Sequence, residues 1–334
     1  MVAQVDRAYL QMRPARIWSR MVSYLLFEGR PLTTRGQWIN PFVFAHFAIE
    51  RRLPQLKEVV APVFVLGTGR SGTTILGVVL SMHEDVGFLN EPKALWSALR
   101  DDEDLIGSYH RGVARYRLGA ADATLGVIRA AHRIYGAYLR ASLCSRVVDK
   151  YPELIFRVPF VKQIFPDAKF LFLSRDGWDT CSSIEHWSTR LGVSVNGERH
   201  DWWGVNGRKW ELLVSQIVPE HADLRAHLGE IRMLQDHRAM AAVEWIVTMR
   251  EGLRLLEEGR NDILHVPYES LCADPVGMAQ RIADFMSLKP DSHYIRYAKK
   301  ALSLPGRKEA FELPDYLLTP FLATQRALGC SESL

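Results

Sequence analysis

The chain has 334 residues, of which 48% are hydrophobic and 24% charged, which is an ordinary globular composition. No run of about 18 apolar residues occurs, so the sequence predicts no membrane-spanning helix. The four cysteines are scattered without metal-ligand spacing. This pattern predicts reduced thiols in a cytoplasmic protein and no metal site.

The formal net charge of +4 is concentrated at the N-terminus. Residues 1–60 contain nine basic and four acidic residues, so this segment carries +5 and the remainder −1. The body therefore has no overall field for nucleic acid, which is not a predicted partner. We expect residues 1–58 to form a basic helical extension packed on a single domain, residues 59–334. Contact of the extension with a membrane surface or an acidic glycan is the alternative.

Short apolar runs alternate with helical patterns along the body. The predicted strands are 61–66, 86–89, 146–148, 169–173 and 262–266, and the predicted helices are 75–80, 94–142, 153–165, 236–257 and 275–286. This alternation predicts an α/β fold, with a parallel sheet covered by helices on both faces. Residues 191–235 are rich in Gly and Trp and less regular, which suggests a lid or an acceptor-binding insertion.

A glycine-rich loop follows the first predicted strand and precedes a helix. Its sequence, GTGRSGTT, provides backbone N–H groups at a helix N-terminus, two threonine hydroxyls and one cation. Such a loop suits an anion, although a Gly-rich turn without a ligand is the alternative. The residues predicted to bind are Gly69, Arg70, Ser71, Gly72, Thr73 and Thr74.

The loop departs from the nucleoside-triphosphate motif GxxxxGK(S/T). Thr73 stands where that motif has Lys, and the cation lies inside the loop as Arg70. A P-loop kinase or NTPase would need that Lys and a magnesium-binding acid, for which Asp149 is the arguable candidate. This class is kept as the alternative function.

Two segments resemble the sulfotransferases that use 3′-phosphoadenosine-5′-phosphosulfate (PAPS). PVFVLGTGRSGTT is similar to their 5′-phosphosulfate loop, and FLFLSRDGWDTCSS is similar to the strand, Arg and Ser that hold the 3′-phosphate. The resemblance implies a P-loop-like three-layer α/β/α fold with about five parallel strands. It also implies that Arg175 and Ser183 bind the cofactor. Taken alone, Arg175 could equally form an ion pair with Asp176 or Asp179.

The resemblance also implies the catalytic groups. The His that follows Lys in the cytosolic phenol and steroid subgroup is missing, because Tyr151 follows Lys150. The tyrosylprotein subgroup and bacterial relatives use a Glu, and Glu91 has the matching spacing. It would be the general base, although a helix N-terminal charge is its alternative role.

Lys150 lies in DKYP, which resembles the Asp/Glu/Asn-Lys-x-Pro stretch of the same subgroup. It would stabilise the leaving phosphate together with Arg70, and Asp149 would orient Lys150 or cap a helix. Tyr268, in YESL, would contact the cofactor or have a structural role.

The implied reaction is metal-free transfer of a sulfuryl group to an acceptor hydroxyl. A non-catalytic nucleotide-binding protein would lack Glu91 or Lys150. Tryptophans in or near the irregular segment could pack in a core or lid, or stack on a sugar. They favour a carbohydrate or glycolipid acceptor, with peptide tyrosine and a small natural product left open. These tryptophans are Trp178, Trp187, Trp202, Trp203 and Trp210.

Overall fold

The computed structural model describes residues 5–304 and 306–330. Residues 1–4 of the predicted extension and residues 331–334 of the predicted domain lie outside the described residues. The strands are β1 Val63–Gly67, β2 Val86–Asn90, β3 Arg146–Lys150, β4 Lys169–Ser174, β5 Val193–Val195, β6 Glu198–Asp201, β7 Gly204–Val205 and β8 Ile263–Pro267. The helices are α1 Arg7–Met12, α2 Arg16–Val22, α3 Asn40–Glu50, α4 Thr73–Ser81, α5 Lys93–Leu99, α6 Leu125–Ser142, α7 Val158–Ile164, α8 Gly177–Leu191, α9 Arg208–Gln216, α10 Ala222–Arg225, α11 Leu228–Arg232, α12 His237–Glu257, α13 Tyr268–Ala273, α14 Pro275–Phe285, α15 Ser292–Ala301 and α16 Asp315–Ala327.

Five parallel strands form the central sheet, in the order β2-β3-β1-β4-β8. This confirms the predicted parallel sheet and its strand count. Alternate side chains of one strand enter two separate cores, as the pleat requires. Phe170 and Phe172 lie in one core, while Leu171 and Leu173 lie in the other. Because both faces are covered, the strands are continuous apolar runs.

The strand order brings the informative loops to one edge of the sheet. The chain leaves β1 for the outer strand β2, returns through β3, and then crosses to β4 on the other side of β1. In open α/β sheets, ligands bind at the carboxyl ends of the strands where the order reverses. The glycine-rich loop after β1 and the Arg175 segment after β4 both lie there.

The N-terminal helices pack against β2, which is an edge strand of the sheet. Arg16 donates hydrogen bonds to the carbonyls of Ser81, at 3.0 Å, and Val86. Arg20 donates to the Phe88 carbonyl and pairs with Glu28 at 3.1 Å. The extension thus meets the sheet through buried polar contacts. The domain boundary after residue 58 stays a prediction.

One predicted helix is wrong over part of its length. Helix α5 ends at Leu99 and α6 begins at Leu125, and residues 100–124 between them contain two 3₁₀ turns. The Asp104 carboxylate accepts four backbone N–H groups, from Ile106, Gly107, Tyr109 and His110. Short acidic side chains that bond backbone in this way compete with helix formation.

The irregular segment 191–235 contains more structure than the sequence suggested. Strands β5, β6 and β7 form a small antiparallel sheet, and α9, α10 and α11 follow it. Whether this segment moves as a lid stays a prediction.

Candidate active site

The glycine-rich loop presents a cradle of backbone groups. Arg70 and Gly72 have positive φ values of +69° and +99°, which turn the chain tightly into α4. Leu76 N–H makes the first bond of that helix, to the Gly72 carbonyl at 3.1 Å. The preceding N–H groups of the first turn therefore have no helical acceptor, which suits an anion.

Two aromatic rings close on this loop where glycines leave room. A Cβ on Gly72 would lie 2.3 Å from the Tyr268 ring, and one on Gly69 would lie 2.4 Å from the Trp202 ring. Both contacts are far shorter than real Cβ contacts, so a side chain at either position would displace the facing ring. The loop is thereby held between Tyr268 and Trp202.

Arg175 reaches the loop from the end of β4. Its Nη2 donates to Asp179 Oδ2 at 3.1 Å, and its Nη1 donates to the Arg70 carbonyl at 3.3 Å. The guanidinium lies 4.7 Å from the centre of the Tyr268 ring. Its Nε is buried without a hydrogen-bond partner. The ion pair with Asp179 therefore forms, yet one donor remains for a ligand.

Ser183 joins the same group of residues. Its Oγ accepts a hydrogen bond from Arg70 Nε at 3.2 Å, which ties helix α8 to the loop. The structure thus brings together the predicted cofactor residues Arg70, Arg175, Ser183 and Tyr268.

Glu91 and Lys150 meet at the carboxyl ends of β2 and β3. Asn90 and Lys150 are paired in the sheet, and Glu91 N–H donates to the Lys150 carbonyl at 2.7 Å. Glu91 has a φ of +49°, a conformation that is uncommon for a residue with a side chain. Lys150 Nζ donates to Glu91 Oε1, and Lys93 Nζ lies 3.5 Å from Oε2. The Lys150 side chain is 2% exposed and that of Glu91 38%, so the carboxylate faces open space.

The two lysines set the charge state of Glu91. Burial alone would raise its pKa, but the Lys150 and Lys93 ammonium groups together hold the pKa of Glu91 well below its ordinary range. The carboxylate is therefore ionised at neutral pH, which is the form that accepts a proton.

The ion pairs continue beyond Glu91 as a chain of alternating charges. Lys93 Nζ lies 3.3 Å from Glu153 Oε1, and Lys209 Nζ lies 3.5 Å from the same oxygen. Lys209 also contacts Glu244 at 2.5 Å, and Glu244 accepts Trp202 Nε1–H at 2.7 Å. Sequence reasoning missed this charge chain, because its members come from separate elements. One clue to it was present in the sequence, because Lys93 lies only two residues after Glu91.

A cleft of about 390 Å³ opens beside Glu91 and Arg70. One wall is the segment 29–34 of the N-terminal extension, and another is formed by residues of β6 and β7. The segments that the family resemblance left unexplained therefore both border the cleft.

Of the five tryptophans considered for packing or for acceptor contact, three lie in the core and two at the cleft. Trp178, Trp203 and Trp210 are buried in the core. Trp187 and Trp202 line the cleft, with ring centres 5.4 Å apart in an edge-to-face arrangement.

Asp149 neither orients Lys150 nor caps a helix. Its Oδ2 accepts hydrogen bonds from Trp96 Nε1 at 3.0 Å and Tyr135 OH at 2.5 Å. Neighbouring residues of a strand point to opposite faces, which directs Asp149 away from Lys150. Burial raises the pKa of Asp149 to about 7. The arguable magnesium-binding acid is thus engaged inside the protein.

Asp149→Asn is expected to change how stability depends on pH. The folded pKa of about 7 exceeds the ordinary value near 4, so Asp149 contributes stability below about pH 4 that is lost as the pH rises through 7. Relative to the variant, the wild type should lose up to about 4 kcal/mol of unfolding free energy between pH 4 and 8. Denaturant unfolding across this range measures the difference. Exposed Asp284→Asn is the control, and parallel curves for wild type and Asp149→Asn would contradict the assignment.

Neither a metal site nor a membrane span is found in residues 5–304 and 306–330. No group of three or more His, Cys, Asp or Glu side chains there could hold a metal ion. No helix of that part is long and apolar enough to cross a membrane.

Sequence comparison extends the similarity beyond single motifs. A family model described as "Sulfotransferase family" matches residues 62–292. The chain belongs to the sulfotransferase family. The match contains the glycine-rich loop, Glu91, Lys150, Arg175 and Tyr268, and it confirms the resemblance seen in the motifs.

Two curated relatives of this sulfotransferase are named for protein tyrosine. It is 30% identical over 231 residues to protein-tyrosine sulfotransferase from Drosophila melanogaster, covering 65% of this chain and 42% of that protein. It is 24% identical over 250 residues to protein-tyrosine sulfotransferase A from Caenorhabditis elegans, covering 72% and 54%. The chain therefore spans about half the length of these curated relatives.

Solved sulfotransferase structures are similar at low identity. STF1 from Mycobacterium tuberculosis superposes with a TM-score of 0.47 at 14% identity, covering 97% of this chain and 93% of that chain.

Proposed function

We propose that this sulfotransferase transfers the sulfuryl group of PAPS to an acceptor hydroxyl, with Glu91 as general base. The observation that carries the proposal is the Glu91 carboxylate, which lines the cleft and contacts Lys150 and Lys93. The acceptor oxygen forms a bond to sulfur as the bond from sulfur to the bridging phosphate oxygen breaks. The acceptor proton passes to Glu91, and 3′-phosphoadenosine-5′-phosphate (PAP) leaves.

The residues around the loop fit such a donor. PAPS supplies the activated sulfuryl group and presents phosphates at both its 5′ and 3′ positions. The free N–H groups at the start of α4 and the Arg70 guanidinium suit the 5′-phosphosulfate. The buried, unpartnered Arg175 Nε suits the 3′-phosphate. A cavity of about 580 Å³ beside Tyr268 and Asp179 has room for a nucleoside.

Lys150 is proposed to stabilise charge on the leaving group. Its buried ammonium donates to Glu91, which lines the cleft, and Arg70 lines the same cleft. Fixed cations at the atoms where negative charge develops lower the barrier without reorganisation. No metal is required for this arrangement.

The acceptor is proposed from the cleft and from the relatives. Trp187 and Trp202 line the cleft, and tryptophan rings stack well on sugars, which supports a carbohydrate or glycolipid. The names of the two relatives support peptidyl tyrosine as the other class to test. Radiolabelled transfer from PAPS to glycolipids and to tyrosine peptides would separate them.

A thermal-shift comparison tests the donor. Because a ligand that binds the folded state raises the apparent melting temperature, PAP should stabilise the protein, whereas ATP or ADP with Mg²⁺ should have little effect. A stronger shift with ATP and Mg²⁺ would contradict the proposal and favour a kinase.

Lys93→Gln is expected to move the acid limb of the pH profile. It removes one of the lysines that lower the pKa of Glu91, so that pKa should rise. Activity is lost as the pH falls through the pKa of the base, so the acid limb of kcat/KM should move to higher pH. Lys162→Gln, which breaks an ion pair with Asp262, is the control. An unmoved limb in a folded variant would rule out this role for Lys93.

A further inference from the structure

Exposed apolar side chains are concentrated in the N-terminal extension. Among the described residues, nineteen large hydrophobic side chains are exposed, and nine of them lie in the extension, between Leu10 and Leu56. A segment of this length would hold far fewer if exposure were spread evenly along the chain. Clustered exposure of this kind marks a surface that meets an apolar partner.

Helix α3 and its flanks form the centre of this surface. Val43 and Phe47 are buried against the body, while Phe42 is 67% and Ile49 58% exposed. Trp38, one turn before Phe42, is 75% exposed. The helix is thus apolar on its outer face as well as its inner face, a pattern normally found in helices covered on both sides. We name the exposed residues Trp38, Phe42, Ala45, Ile49 and Leu53 the outer strip.

Basic residues flank the outer strip at both ends. Arg35 precedes it, and Arg51 and Arg52 follow α3, all of them exposed. Glu50 is the one acid among residues 35–53, and it lies 3.8 Å from His46. The surface therefore combines exposed aromatic and aliphatic side chains with positive charge, which matches an anionic lipid surface.

We propose that the outer strip docks on an anionic membrane surface, with the apolar side chains in the interface and the arginines at the lipid headgroups. A second copy of the chain is a poorer occupant. In a two-fold pair the same patch meets itself, which would bring its positive charges together.

The outer strip is coupled to the cleft. Arg30 N–H donates to Asn40 Oδ1 at 2.8 Å, and Asn40 Nδ2 donates to the Arg30 carbonyl at 2.8 Å. Asn40 is the first residue of α3, and Arg30 belongs to the cleft wall. Docking would therefore hold the cleft beside the lipid surface. Resting on the proposed function, this favours an acceptor hydroxyl carried on a lipid.

Vesicle flotation of the full chain tests the docking. The protein should float with vesicles of phosphatidylcholine and phosphatidylglycerol, and bind weakly to phosphatidylcholine alone or at high salt. Trp38→Ser with Phe42→Ser should weaken binding more than about tenfold, because two large side chains are removed from the interface. Arg35→Gln or Arg52→Gln should each weaken it roughly fivefold. The matched control is Leu125→Ser with Met233→Ser, since both side chains are exposed outside the extension.

No binding to the anionic vesicles, or equal losses in the control, would overturn the proposal. Sedimentation velocity without lipid tests whether a second copy of the chain covers the outer strip instead. A dimer that the Trp38 and Phe42 changes convert to monomer, with no flotation, would assign the strip to self-association instead. The PAP thermal shift is measured on every variant. Flotation without any thermal shift by PAP would support the docking and contradict only the proposal that PAPS is the donor.

Discussion

Glu91→Gln should lower kcat by about 10²–10⁴-fold while leaving the affinity for PAP nearly unchanged. The amide keeps the shape of the side chain but cannot take the acceptor proton. The Glu91 carboxylate pairs with Lys150 and Lys93, which lie outside the glycine-rich loop, so cofactor binding should survive. Initial rates with saturating PAPS, together with calorimetric titration of PAP, measure both quantities.

The control for Glu91 is a carboxylate that also pairs with a cation but lies outside the cleft. Glu220 contacts Arg117 at 2.5 Å, and Glu220→Gln should retain full activity. If Glu91→Gln lost less than about tenfold in kcat, Glu91 would not be the base. Its role would then be the structural one, holding Lys150 and Lys93 by charge.

Arg175→Ala should weaken PAP binding by about a hundredfold, because a charge-assisted contact to the 3′-phosphate is removed. The sharper readout is selectivity. Wild type should prefer PAP to adenosine 5′-phosphate, which lacks the 3′-phosphate, and the variant should lose this preference. Titration calorimetry with both nucleotides gives the ratio, and Ser183→Ala should reduce it less.

The ion pair with Asp179 gives Arg175 an alternative, structural role, and it also provides a control variant. Asp179→Asn removes the charge of the partner but leaves the guanidinium, so the preference for PAP should remain. If Arg175→Ala lowered stability and weakened both nucleotides equally, Arg175 would be structural. The 3′-phosphate would then be bound elsewhere.

The features that could be predicted from the sequence are those that a short segment determines by itself. The five sheet strands are short apolar runs, and the glycine-rich loop requires particular residues at particular backbone angles. Both features were therefore visible without a fold. Glu91 and Lys150 were predicted from the family resemblance, and the structure places them together at the carboxyl ends of β2 and β3.

What could not be predicted depends on which distant elements meet. The side of the sheet to which Asp149 points is set by the register of β3, and the resemblance gave no reason to place it against Tyr135. The chain from Lys93 to Glu244 joins α5, α9 and α12, which only the folded structure brings together. Residues 100–124 resembled a helix in composition, but the acidic side chains there bond backbone instead.

Side chains of the N-terminal extension cover the outer edge of β2, where a sixth strand could otherwise pair. Arg16 and Arg20 donate to the Val86 and Phe88 carbonyls, and Glu28 accepts Asn90 N–H at 3.0 Å. Side chains thus occupy the open hydrogen-bonding edge on which another molecule's strand could add. A shortened chain that begins at the sheet would carry an uncovered ladder, and its first failure in preparation would be aggregation rather than lost chemistry.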